Sequence, residues 1–140
     1  MKNMAVIAVA IALSSCASAQ ELFQRKGDPI QLSYQYEDSV PTKRIELSFT
    51  NTFNHPICIG AENWPENGIM INDGTTVYIG VGQRKYYLQS EQDYCPDCMI
   101  KIDPGEEVRG YFNYSSFGMT AEDERQTKSL RFRPIGFDCA

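Results

Sequence analysis

The sequence is poor in the residues and motifs that most often carry catalysis. It contains one histidine, His55, among 140 residues. It has no G-x-S-x-G nucleophile elbow, no phosphate-binding loop and no dinucleotide-binding fingerprint. A Ser–His–Asp triad would therefore have to use His55, which precedes Pro56 in a turn-like stretch. Because an acid–base constellation is missing, we predict that the protein is not an enzyme and needs no cofactor.

Positive charge and long apolar runs are also scarce. The chain carries a net charge of −5, and its acidic residues are mostly dispersed. This balance argues against nucleic acid as a partner, since the phosphate backbone attracts basic surfaces. The longest uncharged apolar run, Met4 to Leu13, has ten residues and is too short to span a bilayer.

That apolar run lies in an N-terminal segment with the layout of a secretory signal. Lys2 supplies the positive end, the apolar run follows, and small residues come next. We predict a signal peptide over residues 1–19, with an A-x-A cleavage pattern at 17–19. The protein is then expected to be exported and soluble in the periplasm.

A second processing site competes with the first. Residues 13–16 read Leu-Ser-Ser-Cys, which resembles the bacterial lipobox. In that family the leader is cut before the cysteine and the thiol is acylated, so the resemblance implies lipidation of Cys16 and a membrane anchor. Ala17 is not the aspartate that retains such proteins at the inner membrane, which implies attachment to the outer membrane.

Four cysteines remain after either cleavage: Cys58, Cys95, Cys98 and Cys139. An even number in an oxidising compartment predicts two disulfides. Our preferred pairing is Cys95–Cys98, closing a tight loop, with Cys58–Cys139 joining the C-terminal strand to the sheet. The alternative pairs Cys58 with Cys95 or Cys98 and leaves the other for Cys139.

The C-x₂-C pair also allows two chemical interpretations. A thioredoxin-like centre needs its first cysteine at a helix N-terminus, but "MIKIDPG" after Cys98 reads as a strand and a turn. The alternative is a zinc site formed by His55, Cys58, Cys95 and Cys98. It would leave Cys139 unpaired, so a thiol or metal protein is our third-ranked hypothesis.

Apolar residues alternate with polar ones along several short segments, as in antiparallel sheets with one buried face. "PIQLSYQYE" (29–37) places Ile30, Leu32, Tyr34 and Tyr36 on one face, and "RIELSFT" (44–50) does the same with Ile45, Leu47 and Phe49. Further strands are predicted around residues 57–59, in a hairpin over 68–81 that turns at 72–74, and at 84–89, 99–102, 107–114 and 129–137. Thr120 and Asp123 resemble a capping box and predict one short helical turn near 120–127.

These seven or eight short strands predict an all-β fold, an immunoglobulin-like antiparallel β-sandwich over residues 28–140, preceded by a short tether at 20–27. An Asn-Thr turn at 51–52 and a Pro-Gly turn at 104–105 are similar to those of fibronectin-III-like domains and of proteinase-inhibitor domains of the BsuPI type. This resemblance implies the fold of a bacterial exported domain. It does not imply an activity, since its motifs are turn chemistry.

Aromatic and basic residues on the predicted surface are the candidates for partner binding. Trp64 lies in the polar stretch "GAENWPENG", where it is either an interface anchor or a lid over the core, and we expect the lid. One of Tyr86 and Tyr87 must face outward on a strand. Arg131 and Arg133 face outward together and suit an acidic partner.

We therefore expect a non-catalytic binding module of the bacterial envelope, tethered by a lipid, whose partner is a protein or a glycan. The alternative function is inhibition of a periplasmic hydrolase, with a loop at 60–68 or 90–98 inserted into the enzyme's cleft.

Overall fold

The structure is a computed structural model that describes residues 25–65, 77–89 and 98–139. Within these ranges, ten strands form three antiparallel sheets and three short 3-10 helices connect them. The all-β prediction is confirmed, with more strands than the seven or eight expected. In the same ranges no helix is long and apolar enough to cross a membrane.

The strands fall into one four-stranded and two three-stranded sheets. The four-stranded sheet has the order β1 (Arg25–Gln31), β10 (Ile135–Cys139), β4 (Ile57–Gly60), β7 (Met99–Ile102). The second has the order β2 (Gln35–Ser39), β3 (Arg44–Thr50), β8 (Glu107–Asn113). The third has the order β6 (Arg84–Tyr87), β5 (Tyr78–Val81), β9 (Ser129–Arg131).

Two of the predicted strands are each divided in two. Segment 29–37 becomes β1, which pairs with β10, and β2, which pairs with β3 in another sheet. Segment 129–137 becomes β9 and β10 in the same way. The alternation of apolar residues continues while the chain crosses between sheets, so it does not mark the crossing. Tyr36, expected to face inward, is 45% exposed because β2 is an edge strand.

One hydrophobic core takes residues from all three sheets. β3 has the predicted bounds, and its apolar residues Ile45, Leu47 and Phe49 are buried as predicted. Ile57 of the four-stranded sheet and Ile79 of the β6–β5–β9 sheet are fully buried against the same cluster.

The predicted Asn-Thr and Pro-Gly turns form one corner of the molecule. The Asn51 backbone N–H donates to the Glu106 carbonyl (2.9 Å), and the Gly105 N–H donates to the Asn51 carbonyl (2.8 Å). Gly105 has φ +82°, which glycine adopts at no steric cost. The buried Asn51 amide also donates to the carbonyls of His55 and Ile102, each at 2.9 Å. Since β7 and β8 belong to different sheets, this turn is a corner between sheets.

The predicted helical turn is present as a 3-10 helix over Asp123–Arg125, and the Asp123 N–H donates to Thr120 Oγ1 at 3.2 Å. The other 3-10 helices, Ala61–Asn63 and Tyr114–Phe117, were not predicted. Tyr114 was expected to extend a strand, but the chain turns there to carry its ring into the core.

Several sequence predictions concern residues outside the described ranges: the leader 1–19 with Cys16, the turn at 72–74, Cys95, and most of loop 90–98. At the start of the domain, β1 begins at Arg25, inside the stretch 20–27 predicted as a tether. Residues 25–27 therefore belong to the sheet, because β1 pairs with β10 from Arg25 onward.

Candidate functional site

The cysteines of the described residues are structural. Cys58 and Cys139 form a disulfide with a Cα–Cα distance of 5.1 Å, which confirms the preferred pairing. The bond joins β4 to the neighbouring β10 across a sequence separation of 81. Cys98 is also disulfide-bonded. The predicted Cys95–Cys98 bond remains a prediction, since Cys95 lies outside the described residues.

The zinc alternative is wrong because two of its three cysteine ligands, Cys58 and Cys98, are disulfide-bonded and its histidine is hydrogen-bonded through both ring nitrogens. The Cys58 sulfur is bonded to Cys139 and offers no thiolate to a metal. His55 Nε2 lies 2.5 Å from Asp138 Oδ1, and its Nδ1 lies 2.9 Å from Asn54 Oδ1. His55 thus joins the 51–56 turn to β10.

Trp64 is a lid over the core, and its alternative role as an interface anchor is wrong. Its side chain is fully buried. The indole packs against Phe49 and Phe132, with ring centroids 6.5 and 6.1 Å away. Its Nε1–H donates to the Arg109 carbonyl of β8 at 3.3 Å. No part of the ring is left for a partner.

The β6–β5–β9 sheet brings together two of the other predicted surface residues. Tyr78 of β5 lies opposite Tyr87 of β6 on one side and opposite Arg131 of β9 on the other. Residues directly opposite each other share a face of the sheet, so these three form one row. A second row on the same face runs from Lys85 through Gly80 to Ser129. We call these two rows the basic-aromatic face.

The aromatic part of this face consists of two tilted tyrosine rings, one of which is exposed. Tyr87 is 46% exposed. Its ring centroid lies 5.5 Å from that of Tyr78, and the two ring planes are tilted by 57°. The Lys85 ammonium lies over the Tyr78 ring, 4.9 Å from its centroid, in a cation–π contact. The two tyrosines therefore present flat apolar surface beside the positive charge of Lys85.

Gly80 keeps the second row shallow. A Cβ atom at this position would come 2.7 Å from the Ser129 hydroxyl oxygen. The Ser129 side chain therefore occupies the space that a side chain at residue 80 would need. Ser129 is exposed, so its hydroxyl can donate or accept a hydrogen bond there.

The charge of this face contrasts with that of the whole chain. Strands β5, β6 and β9 contain no aspartate or glutamate, although the net charge is −5. Lys85 and Arg131 are both exposed. Neither makes a salt bridge within the described residues. The face therefore presents two cations without neutralising partners in the described part of the chain.

The other two predicted surface residues do not lie on this face. Tyr86 lies opposite the buried Ile79 on the inner side of the sheet, and its hydroxyl donates to the Asp123 carboxylate. Arg133 is exposed, but it follows the end of β9.

Tyr78, at the centre of the face, was not among the residues that the sequence analysis singled out. It lies between the buried Val77 and Ile79, and that alternation was available in the sequence.

A buried carboxylate binds β6 on the side opposite the basic-aromatic face. The Asp123 side chain is 0% exposed, and its Oδ1 accepts a hydrogen bond from Arg84 Nη2 at 2.5 Å. Its Oδ2 accepts the Tyr86 hydroxyl. Side chains alternate along a strand, so the Arg84 and Tyr86 side chains, which both reach Asp123, leave those of Lys85 and Tyr87 on the opposite face. Asp123 thereby positions the basic-aromatic face without belonging to it.

A second buried ionic cluster has a structural role. The Lys128 side chain is 1% exposed, and its ammonium donates to Asp38 Oδ2 (3.1 Å) and to the Gln126 carbonyl (2.9 Å). The Tyr114 hydroxyl donates to the other Asp38 oxygen. Burial, and then the neighbouring Asp38 carboxylate, raise the pKa of Tyr114. The phenol therefore stays neutral and is not suited to act as a base.

Comparisons with protein-family models, with curated proteins and with solved structures find no match to this chain. Its function is therefore inferred from its own geometry and chemistry.

Proposed function

We propose that this protein is an exported, non-catalytic binding module of the bacterial envelope that holds its partner on the basic-aromatic face. The observation that carries the proposal is the row Tyr87–Tyr78–Arg131 on an exposed sheet face. Tyrosine and arginine dominate the energetics of interfaces because they combine apolar area with directed hydrogen bonds. A face this basic on an acidic chain favours an anionic partner.

Export is supported by the leader-like sequence and by the Cys58–Cys139 bond, because disulfides persist in oxidising compartments. The proposal includes lipidation at Cys16 and attachment to the outer membrane. Mass spectrometry of the mature protein tests both. An acylated N-terminal Cys16 supports the anchor, an N-terminal Gln20 supports a soluble periplasmic form, and a retained Met1 with free thiols contradicts export.

The non-catalytic part of the proposal is supported by the surroundings of the candidate groups. His55 contacts the Asp138 carboxylate and the Asn54 amide oxygen, and in the described residues its side-chain hydrogen bonds include no hydroxyl or thiol that it could activate. Hydrolase inhibition remains a prediction. Of its two candidate loops, residues 60–65 are described, and Trp64 and Pro65 are buried there. The described part of that loop therefore offers no large exposed side chain for insertion into a cleft.

An affinity capture experiment tests the binding role. The mature protein is immobilised and exposed to detergent-solubilised envelope, in parallel with the double variant Tyr87→Ala/Arg131→Ala. The control is Tyr36→Ala/Arg109→Ala, which removes a tyrosine of equal exposure (45% against 46%) and an exposed arginine from another sheet. We expect the first variant to lose the captured component and the control to retain it. Equal capture by both variants would contradict the proposal, and a captured hydrolase would favour inhibition.

A further inference from the structure

We infer that the basic-aromatic face recognises an acidic saccharide, in which sugar rings carry carboxylate, sulfate or phosphate groups. The inference rests on the proposed function and names the chemical class of its ligand. It follows from the charge, the shape and the size of the face.

The charge of the face favours an anionic ligand. Lys85 and Arg131 lie on the two edge strands of the sheet, on either side of Tyr78. The Lys85 ammonium leans over the Tyr78 ring toward the centre of the face, and Arg131 lies opposite Tyr78 on β9. Anionic groups of a ligand can accept a charge-assisted hydrogen bond from each cation, and such bonds are the stronger ones.

The shape of the face suits a sugar ring. Pyranose rings have an apolar C–H face, which can pack on the exposed ring of Tyr87, and hydroxyl groups at their edges. Rigid aromatic side chains provide such contact area at little cost in conformational entropy. Ser129, whose hydroxyl covers Gly80, is exposed and can hydrogen-bond a hydroxyl group at the edge of the sugar ring.

The size of the face favours a saccharide over an acidic protein. Its strands have four, four and three residues. At about 3.3 Å per residue and about 4.8 Å between strands, the face measures roughly 10 by 13 Å. A stable protein interface covers about 800 Å² on each partner, several times this area. A short oligosaccharide matches a face of this size.

A glycan array tests the inference on the mature, disulfide-bonded protein. The array carries uronic, sialic, sulfated and phosphorylated oligosaccharides, each beside a neutral oligosaccharide of equal length. We expect binding to one acidic class, with the neutral counterpart at least about tenfold weaker, as for loss of a charge-assisted contact. Calorimetric titration with the acidic saccharide should show about tenfold or greater weakening for Lys85→Ala, Arg131→Ala and Tyr87→Ala. Tyr36→Ala and Arg109→Ala should bind as the wild type does.

Three outcomes would overturn the inference: no acidic saccharide binds, the neutral counterpart binds equally well, or an acetylated tetraglutamate peptide binds as tightly as the saccharide. Thermal unfolding of each variant verifies that it is folded. If the array is negative while capture from the envelope still requires Tyr87 and Arg131, the saccharide is wrong and the binding module stands. If capture is also insensitive to these substitutions, both proposals fail.

Discussion

At the scale of single residues, the fold buries charged groups and supplies each with partners from distant parts of the chain. Asp123 is fully buried and Lys128 nearly so. Breaking such a cluster costs more than forming it contributes, because removing one partner leaves another buried group unsatisfied. These residues have polar identities in the sequence, and nothing in the local pattern marks them as buried.

Tyr114 provides a prediction about alkaline pH. Its pKa is raised by burial and by Asp38, whereas an unfolded tyrosine ionises near pH 10. The folded state therefore holds this proton more tightly, and its contribution to stability is complete below about pH 10 and declines above it. We expect Tyr114→Phe to lower the free energy of unfolding at pH 8 and to reduce its further decline between pH 9 and 11. Urea unfolding across this range measures both.

The matched control is Tyr111→Phe, at a half-buried tyrosine on β8. Its hydroxyl lacks the contact with Asp38, so the substitution should lower the free energy of unfolding at pH 8 by less than Tyr114→Phe does. An equal decline in the wild type and Tyr114→Phe would contradict the assignment.

Asn51 provides a second prediction at this scale. Its side chain donates two hydrogen bonds and accepts one from the Phe53 N–H at 2.9 Å. We expect Asn51→Ala to lower the free energy of unfolding by about 2–4 kcal/mol, because buried backbone groups lose their partners. Thr52→Ala, at the exposed neighbouring position, should cost less than about 1 kcal/mol. If chemical denaturation showed equal losses of stability for Asn51→Ala and Thr52→Ala, the Asn51 hydrogen bonds would not stabilise the turn between β7 and β8.

At the scale of elements, the basic-aromatic face depends on the contacts behind β6. Arg84 and Tyr86 both end on Asp123, which the short 3-10 helix over Asp123–Arg125 presents to the sheet. An edge strand of four residues has few ladder hydrogen bonds of its own. The contacts of Arg84 and Tyr86 with Asp123 therefore hold β6 in place.

We therefore expect Asp123→Asn to loosen β6 selectively. Hydrogen exchange should accelerate about tenfold or more at the amides of β6, with β3 little changed, because local opening costs less than global unfolding. Glu122→Gln makes the same chemical change at the exposed neighbouring residue and should have no effect. Uniform acceleration across both strands would instead indicate that Asp123 stabilises the whole fold.

At the scale of the whole molecule, the sheets share one core and the C-terminal strand completes the four-stranded sheet. β10 lies between β1 and β4, so a strand from the end of the chain pairs with one from its beginning. The Cys58–Cys139 bond prevents this long-range pairing from separating. Its effect is expected mainly in the unfolded chain, whose freedom the bond restricts.

Replacing both cysteines, as Cys58→Ala/Cys139→Ala, should lower the free energy of unfolding by about 4.5 kcal/mol, the loop-entropy value for a separation of 81. Urea unfolding with and without reductant provides the measurement. The wild type should be weakened by the reductant, and the double variant much less so. A stability equal to that of the wild type would show that the pairing needs no covalent support.

The sequence alone determined the all-β class, the bounds of β3, the inward residues of that strand and a short helical turn within 120–127, and it favoured the Cys58–Cys139 pairing over its alternatives. These follow from local alternation, from local capping and from a small number of sulfur pairings. Only the tertiary structure decided where segments 29–37 and 129–137 divide between sheets, that Trp64 is buried, and that Tyr78 joins Tyr87 to Arg131. The reason is physical: alternation records which side of a strand is apolar, while strand partners and shared faces depend on pairing between residues far apart in the chain.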